Sequence, residues 1–173
     1  MARSPPLVPY RPKAFPPGPI AAAYTSPLFS IAALLAPCAS MLVASPTYLA
    51  AHGVPKTPSD LETHPCLSFA NFGKSTWTLS RGEERCQVGV RSQLSANEAT
   101  ALLQAALAGG GVALQPTYLA NPHLANGTLV AVLPDWQPPP MTIYALYPSR
   151  RHLSPAVRAL LDFLVARFAT LRW

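Results

Sequence analysis

Residues 87–116, QVGVRSQLSANEATALLQAALAGGGVALQP, constrain the fold more than any other stretch of the chain. Val88 and Val90 alternate with polar residues, which suits a strand with one buried face. Ser95 and Asn97 are both candidate helix N-caps, and Ser95 with Glu98 three residues on has the spacing of a capping box. Ala99, Leu102, Leu103, Ala106 and Leu107 then recur at i, i+3, i+4, i+7 and i+8, an apolar stripe on one helical face. Gly109, Gly110 and Gly111 end the helix, because glycine takes the left-handed conformation that a helix C-terminus often needs. Residues 112–114 are a short apolar strand, stopped at Pro116. Two strands joined by a helix of this length are expected to be parallel neighbours with a right-handed crossover. The unit points to an α/β fold.

The rest of the chain is read around that unit. Residues 41–44 suit a strand, and Ser45 caps a helix over residues 46–51 whose first position, Pro46, needs no N–H. Strands are expected at residues 66–69 and 77–79, with turns at 71–74 and 81–84, as a β-meander attached to the parallel unit. A short helix over 117–125, a strand over 129–133 and a buried strand over 141–147 follow. Ser154 then caps a last helix striped by Val157, Leu160, Leu161, Leu164, Val165 and Phe168. Residues 1–37 differ in texture: they hold nine of the 21 prolines, three basic residues and no acidic one. Residues 1–36 are read as a proline-rich, poorly structured leader. The competing reading is an export signal ending at Cys38, opposed by Pro27 inside the apolar run and by Pro37 beside the cysteine. The run is too short and broken for a membrane-spanning helix.

Composition narrows the chemistry. Half of the 173 residues are hydrophobic and 12% are charged, enough apolar material for a core. The net charge of +6 comes from scattered basic residues, with Arg150-Arg151 the only adjacent pair, so no element carries a nucleic-acid stripe. Cys38, Cys66 and Cys86 are widely spaced and form no metal-ligand pattern, which suits reduced thiols in a cytoplasmic protein. The seven carboxylates hold no pair positioned for acid–base work, and no nucleophile elbow, phosphate loop or zinc motif is present. The three glycines close a helix instead of opening one, so they do not cradle a phosphate. An enzyme is not expected, nor is a cofactor or a metal.

Several motifs resemble one family in order. Residues 43–53, VASPTYLAAHG, with PSDL at 58–61 and HPCL at 64–67, look like the hinge and second-lobe entry of the effector-binding domain of LysR-type transcriptional regulators. AALAGGGVALQP at 105–116, residues 124–136 ending in VLPDW, and YALYPSRRHLSPAVRALLDFL at 144–164 are similar to its later motifs. The resemblance covers about residues 37–168. Gly110 departs from it, standing where the family has a larger apolar residue, and so does Gln115 before Pro116.

The resemblance implies a type 2 periplasmic-binding-protein-like α/β fold, with the second lobe complete over about 44–140. The first lobe is partial, reduced to a return strand and helix over about 141–170. Crossings between lobes are expected near residues 42–45 and 138–144. A small-molecule effector, commonly a carboxylate or aromatic metabolite, would bind between the lobes and shift a conformational equilibrium. Carried over position by position, its contacts fall on Ser45, Pro46, Thr47, Ser95, Ala96, Asn97, Gln115 and Pro116. Such regulators begin with a winged helix-turn-helix, a linker helix and the first half of lobe one, for which no counterpart is read here. The chain is therefore expected to be a fragment that reaches DNA only through that missing reader, belongs to a homo-oligomer and does not touch a membrane. With one wall of the cleft, weak or no effector binding by this chain alone is expected. A first lobe without its partners would also leave apolar surface exposed, which favours aggregation or a partner chain. The alternative is an exported solute-binding protein of the same fold.

Overall fold

A computed structural model describes residues 31–70, 76–147 and 154–170. The elements in chain order are β1 (Ile31–Cys38), β2 (Ser40–Ala44), α1 (Pro46–His52), a 3-10 turn (Pro58–Glu62), β3 (Pro65–Phe69), β4 (Thr76–Arg81), β5 (Glu84–Gly89) and β6 (Arg91–Ala96). They continue with α2 (Ala99–Leu107), β7 (Val112–Pro116), α3 (Thr117–Ala125), β8 (Val130–Val132), β9 (Met141–Tyr147) and α4 (Pro155–Thr170). The chain divides into two compact units, one spanning Pro37–Met141 and the other built from the chain on either side of it.

The larger unit is a five-stranded sheet in the order β6-β3-β7-β2-β8. β3 runs parallel to β6 and β7, and β2 runs antiparallel to β7 and β8. Both faces are covered, so β2 and β7 are continuously apolar over residues 41–44 and 112–114, with Ser40 and Gln115 the polar exceptions. Alternation sends Leu42, Ala44, Cys66 and Val112 to one face, where they meet Tyr48, Leu61, Trp77 and Trp136. Val43, Leu67 and Ala113 go to the other face, against Leu102, Leu103 and Ala106 of α2 and Ala120 of α3.

Four expectations are corrected here. The strands flanking α2 are parallel but not neighbours, because β3 lies between them. Strand β3 precedes both in the chain, so its insertion is a non-local pairing that the intervening sequence does not encode. Residues 87–89 do not feed α2: they close a separate hairpin in which Trp77 faces Val88 across a turn at Gly82. The predicted meander is absent for the same reason, since β3 pairs only with β6 and β7. The first crossing also lies earlier than expected: β2 is an internal strand of the larger unit, and the chain passes between units at Ala36/Pro37 and Met141/Thr142.

The smaller unit contains the β1–β9 pair and α4. A strand from Ile31 places residues 31–36, assigned above to a poorly structured leader, in hydrogen-bonded structure; residues 1–30 lie outside the described residues. Ser154 caps α4 as expected, its hydroxyl accepting from the Val157 amide at 3.3 Å. The predicted stripe is only partly covered: Leu161 is buried, Leu164, Val165 and Phe168 are half-buried, and Leu160 is 55% exposed. The turn expected at 71–74 lies outside the described residues.

Candidate functional site

The eight residues singled out in the sequence fall at two opposite ends of the five-stranded sheet. Ser40 pairs with Pro116, Met41 with Gln115 and Val43 with Ala113, so β2 starts where β7 ends. Ser45 therefore stands at the Gly111 end, roughly 13 Å along the strand from the level of Gln115. There it does structural work. Its hydroxyl accepts from the Tyr48 amide at 3.3 Å and meets the Thr47 hydroxyl at 3.0 Å. The two oxygens back onto Gly109, where an added Cβ would lie 3.6 Å from Thr47 Oγ1. Gly109 and Gly110 in turn close α2, donating to the carbonyls of Ala106 at 3.0 Å and Ala105 at 2.8 Å, the pattern of a Schellman cap. Ser45, Pro46 and Thr47 thus start α1, with the Ser45 and Thr47 hydroxyls beside the Gly109 turn that ends α2, and do not join the other five.

The same end carries a titratable cluster in which Tyr48, His64 and Cys66 are buried and His52 is exposed. The Tyr48 hydroxyl meets His64 Nδ1 at 2.8 Å, and His52 stacks on the tyrosine ring at 4.5 Å. The Cys66 thiol donates to the His64 carbonyl at 3.4 Å, and burial pushes it up to about 12. The Tyr48 hydroxyl is likewise raised to about 12, first by burial and then by Cys66. A thiol so protonated and covered is a packing group, not a nucleophile.

At the opposite end Ser95 and Ala96 close β6 with Asn97 just beyond it, Gln115 and Pro116 close β7, Ser68 and Phe69 close β3, and Ser40 opens β2. Ser68 pairs with Ser95 and Phe69 with Ala96. Ser95 does not cap α2: pairing with β3 keeps it in a strand, and Glu98 takes the cap. The Glu98 carboxylate accepts from the Thr100 and Ala101 amides, both at 3.2 Å, and from the Thr100 hydroxyl. These bonds, the Thr100 side chain first, hold its carboxyl below the ordinary value.

This edge holds three buried side chains with unpartnered polar atoms. Gln115 has no exposed surface, and neither its Oε1 nor its Nε2 has a hydrogen-bond partner. The hydroxyls of Ser40 and Ser68 are also buried and unpaired. Alternation puts Gln115 on the α2/α3 face beside Met41, and Ser40 and Ser68 on the other. Sequence reasoning found Gln115 but missed both serines, whose only signal is a hydroxyl within an apolar strand.

Other chemistry is thin. Among the described residues no group of His, Cys, Asp and Glu is placed to hold a metal ion. Nor is any described helix long and apolar enough to cross a membrane. A hollow of about 290 Å³ lies between the 3-10 turn and the β4–β5 hairpin. Its Arg81 is already engaged, 2.8 Å from Glu84 and 4.8 Å over the Trp136 ring.

Residues 27–169 match the LysR substrate binding domain, beginning ten residues inside the stretch assigned to the leader. A putative transcriptional regulator of Pseudomonas aeruginosa is 37% identical over 74% of this chain and 43% of its own length. The transcriptional regulator DmlR of Escherichia coli is 36% identical over 80% of the chain and 46% of its own. Among solved structures, full-length AphB of Vibrio cholerae, a virulence activator, superposes with a TM-score of 0.71 at 30% identity, over 80% of this chain and 48% of that one. The regulatory domain of AphB from Vibrio vulnificus superposes at 0.68 with 33% identity, over 79% of this chain and 68% of the domain. The chain thus spans less than half the length of the regulators it matches.

Proposed function

The chain belongs to the LysR substrate binding domain family, and from that membership we propose that it is the effector-sensing part of a cytoplasmic transcriptional regulator. A small metabolite binds at the edge of the sheet formed by Ser40, Ser68, Ser95, Asn97, Gln115 and Pro116. The observation that carries this reading is the grouping of Ser40, Ser68 and Gln115, buried and unpartnered, at one end of one sheet. Buried polar groups are nearly always hydrogen-bonded, so three exceptions at one edge ask for partners from outside the chain. Open α/β sheets also take ligands beyond the carboxyl ends of their strands, where β3, β6 and β7 finish here. The regulators it resembles favour a transcriptional role over an exported solute-binding protein. Metabolite binding then biases a conformational equilibrium that an oligomer reads out on DNA, through contacts outside residues 27–169.

Side-chain and backbone NMR of the 173-residue chain, titrated with a metabolite collection at millimolar concentration, tests this. Shifts should cluster at Ser40, Ser68, Ser95, Asn97 and Gln115 and spare Ser45 and Thr47. Shifts centred on Ser45 and Thr47 instead would place the site at the wrong end of the sheet.

A further inference from the structure

We infer that Gln115 determines specificity, and that its wall receives the neutral hydrogen-bonding part of the effector, an amide or hydroxyl, in preference to a carboxylate. The inference rests on the reading above that the effector binds at this edge.

An amide side chain offers a donor and an acceptor, and in Gln115 both are buried and unpartnered. A carboxylate satisfies Nε2 but sets a negative oxygen against Oε1. An amide or hydroxyl group donates and accepts at once, so it satisfies both. On the opposite face of the same edge, the hydroxyls of Ser40 and Ser68 have the same mixed character and the same lack of partners.

Charge at the edge points the same way. Residues 39–41, 68–70, 95–98 and 115–118 include no lysine, arginine or histidine. The one charge they hold is the Glu98 carboxylate. It already occupies the N-terminus of α2, the position an anion would otherwise take, and it repels a second anion. The N-terminus of α3 is partly spent as well. Its first amide, Thr117, donates to the Ala39 carbonyl at 3.0 Å, and the Thr117 hydroxyl donates to the same oxygen at 3.3 Å. Because Gln115 has no exposed surface, a ligand reaches it only when the chain packed around it opens. That opening favours ligands that satisfy the whole amide over those that satisfy half of it.

Isosteric fragment pairs test the inference: benzamide against benzoate, and succinamide against succinate, titrated into the isotopically labelled 173-residue chain. The side-chain NH2 resonances of Gln115 and the amides of Ser95 and Asn97 are followed. The neutral member of each pair should shift them, with its carboxylate twin about tenfold weaker. In Gln115→Met, folded by circular dichroism, the difference within each pair should vanish. Carboxylates that shift Gln115 as strongly as their twins overturn the inference and leave the edge site standing. If no fragment moves any edge residue, the edge reading falls and the inference falls with it. The comparison on the unsubstituted chain needs no variant, so it holds even if Gln115→Met does not fold.

Discussion

Gln115 sits in a hydrophobic layer with two unpaired polar atoms, and the ligand-free chain bears that cost. An unsatisfied buried amide costs about 1–3 kcal/mol, whereas an apolar group of similar shape costs little. Gln115→Met should therefore raise the thermal midpoint of the ligand-free chain, a change that differential scanning calorimetry reads directly. A lowered midpoint would mean that the amide is satisfied in solution. Gly111 makes the opposite case. Its φ is +143°, and an added Cβ would lie 2.3 Å from the Pro65 carbonyl oxygen. Gly111→Ala should cost roughly 3 kcal/mol or more in urea denaturation, because β3 and β7 would have to part there. Single residues were unevenly legible in the sequence. Ser45 announced itself as a cap, since a serine before a proline-led helix has one local use. Ser95 misled, because its spacing to Glu98 fits a capping box while strand pairing with Ser68, invisible locally, decides its conformation.

Helix α2 is held at its two ends by different devices, a carboxylate at the start and glycines at the finish. The Glu98 carboxyl lies below its unfolded value in the folded chain, the Thr100 hydrogen bonds being the main cause. Its contribution is complete above the unfolded value of 4.5 and is lost as pH falls through the lower folded value. Glu98→Ala should therefore melt earlier than the parent chain at pH 7, and the gap should close as pH is lowered well beneath 4.5. Thermal scans across pH 3–7 would show it; a gap independent of pH would assign the effect to helix propensity alone. Helix α1 is anchored by the Tyr48–His64 pair at 2.8 Å. Tyr48→Phe leaves a buried ring nitrogen unpaired and should cost about 1–2 kcal/mol by denaturant titration. It should do so without moving the NMR response at the open edge, which lies at the other end of the sheet. Element types were readable because periodicity and caps are local. Strand order was not: that β3 separates β6 from β7 depends on pairing between distant segments.

Across the whole molecule, the larger unit has two packed layers over its sheet, while the smaller one is thinly covered. On α4 Phe163 is 63% exposed and Leu160 55%, and Leu146 of β9 is 40% exposed. A two-stranded pair with one helix has little apolar area to hold it. The chain should therefore bind a hydrophobic dye and associate as concentration rises. The double substitution Leu160→Glu with Phe163→Lys should reduce both, as light scattering and dye fluorescence would show; unchanged association would place the sticky surface elsewhere. The lobe organisation came from the resemblance, because crossings between units leave no periodic signal.

The two ends of the five-stranded sheet also differ in how far a substitution would be felt. At one, Ser45, Thr47 and Gly109 mesh while Tyr48 locks to His64, so a change at any of them is felt by two elements at once. At the other, the side chains of Ser40, Ser68 and Gln115 make no hydrogen bond to a neighbouring element. A substitution at the second end therefore stays local, while one at the first is transmitted to a second element: the sheet is a hinge-pin at one rim and a keyboard at the other.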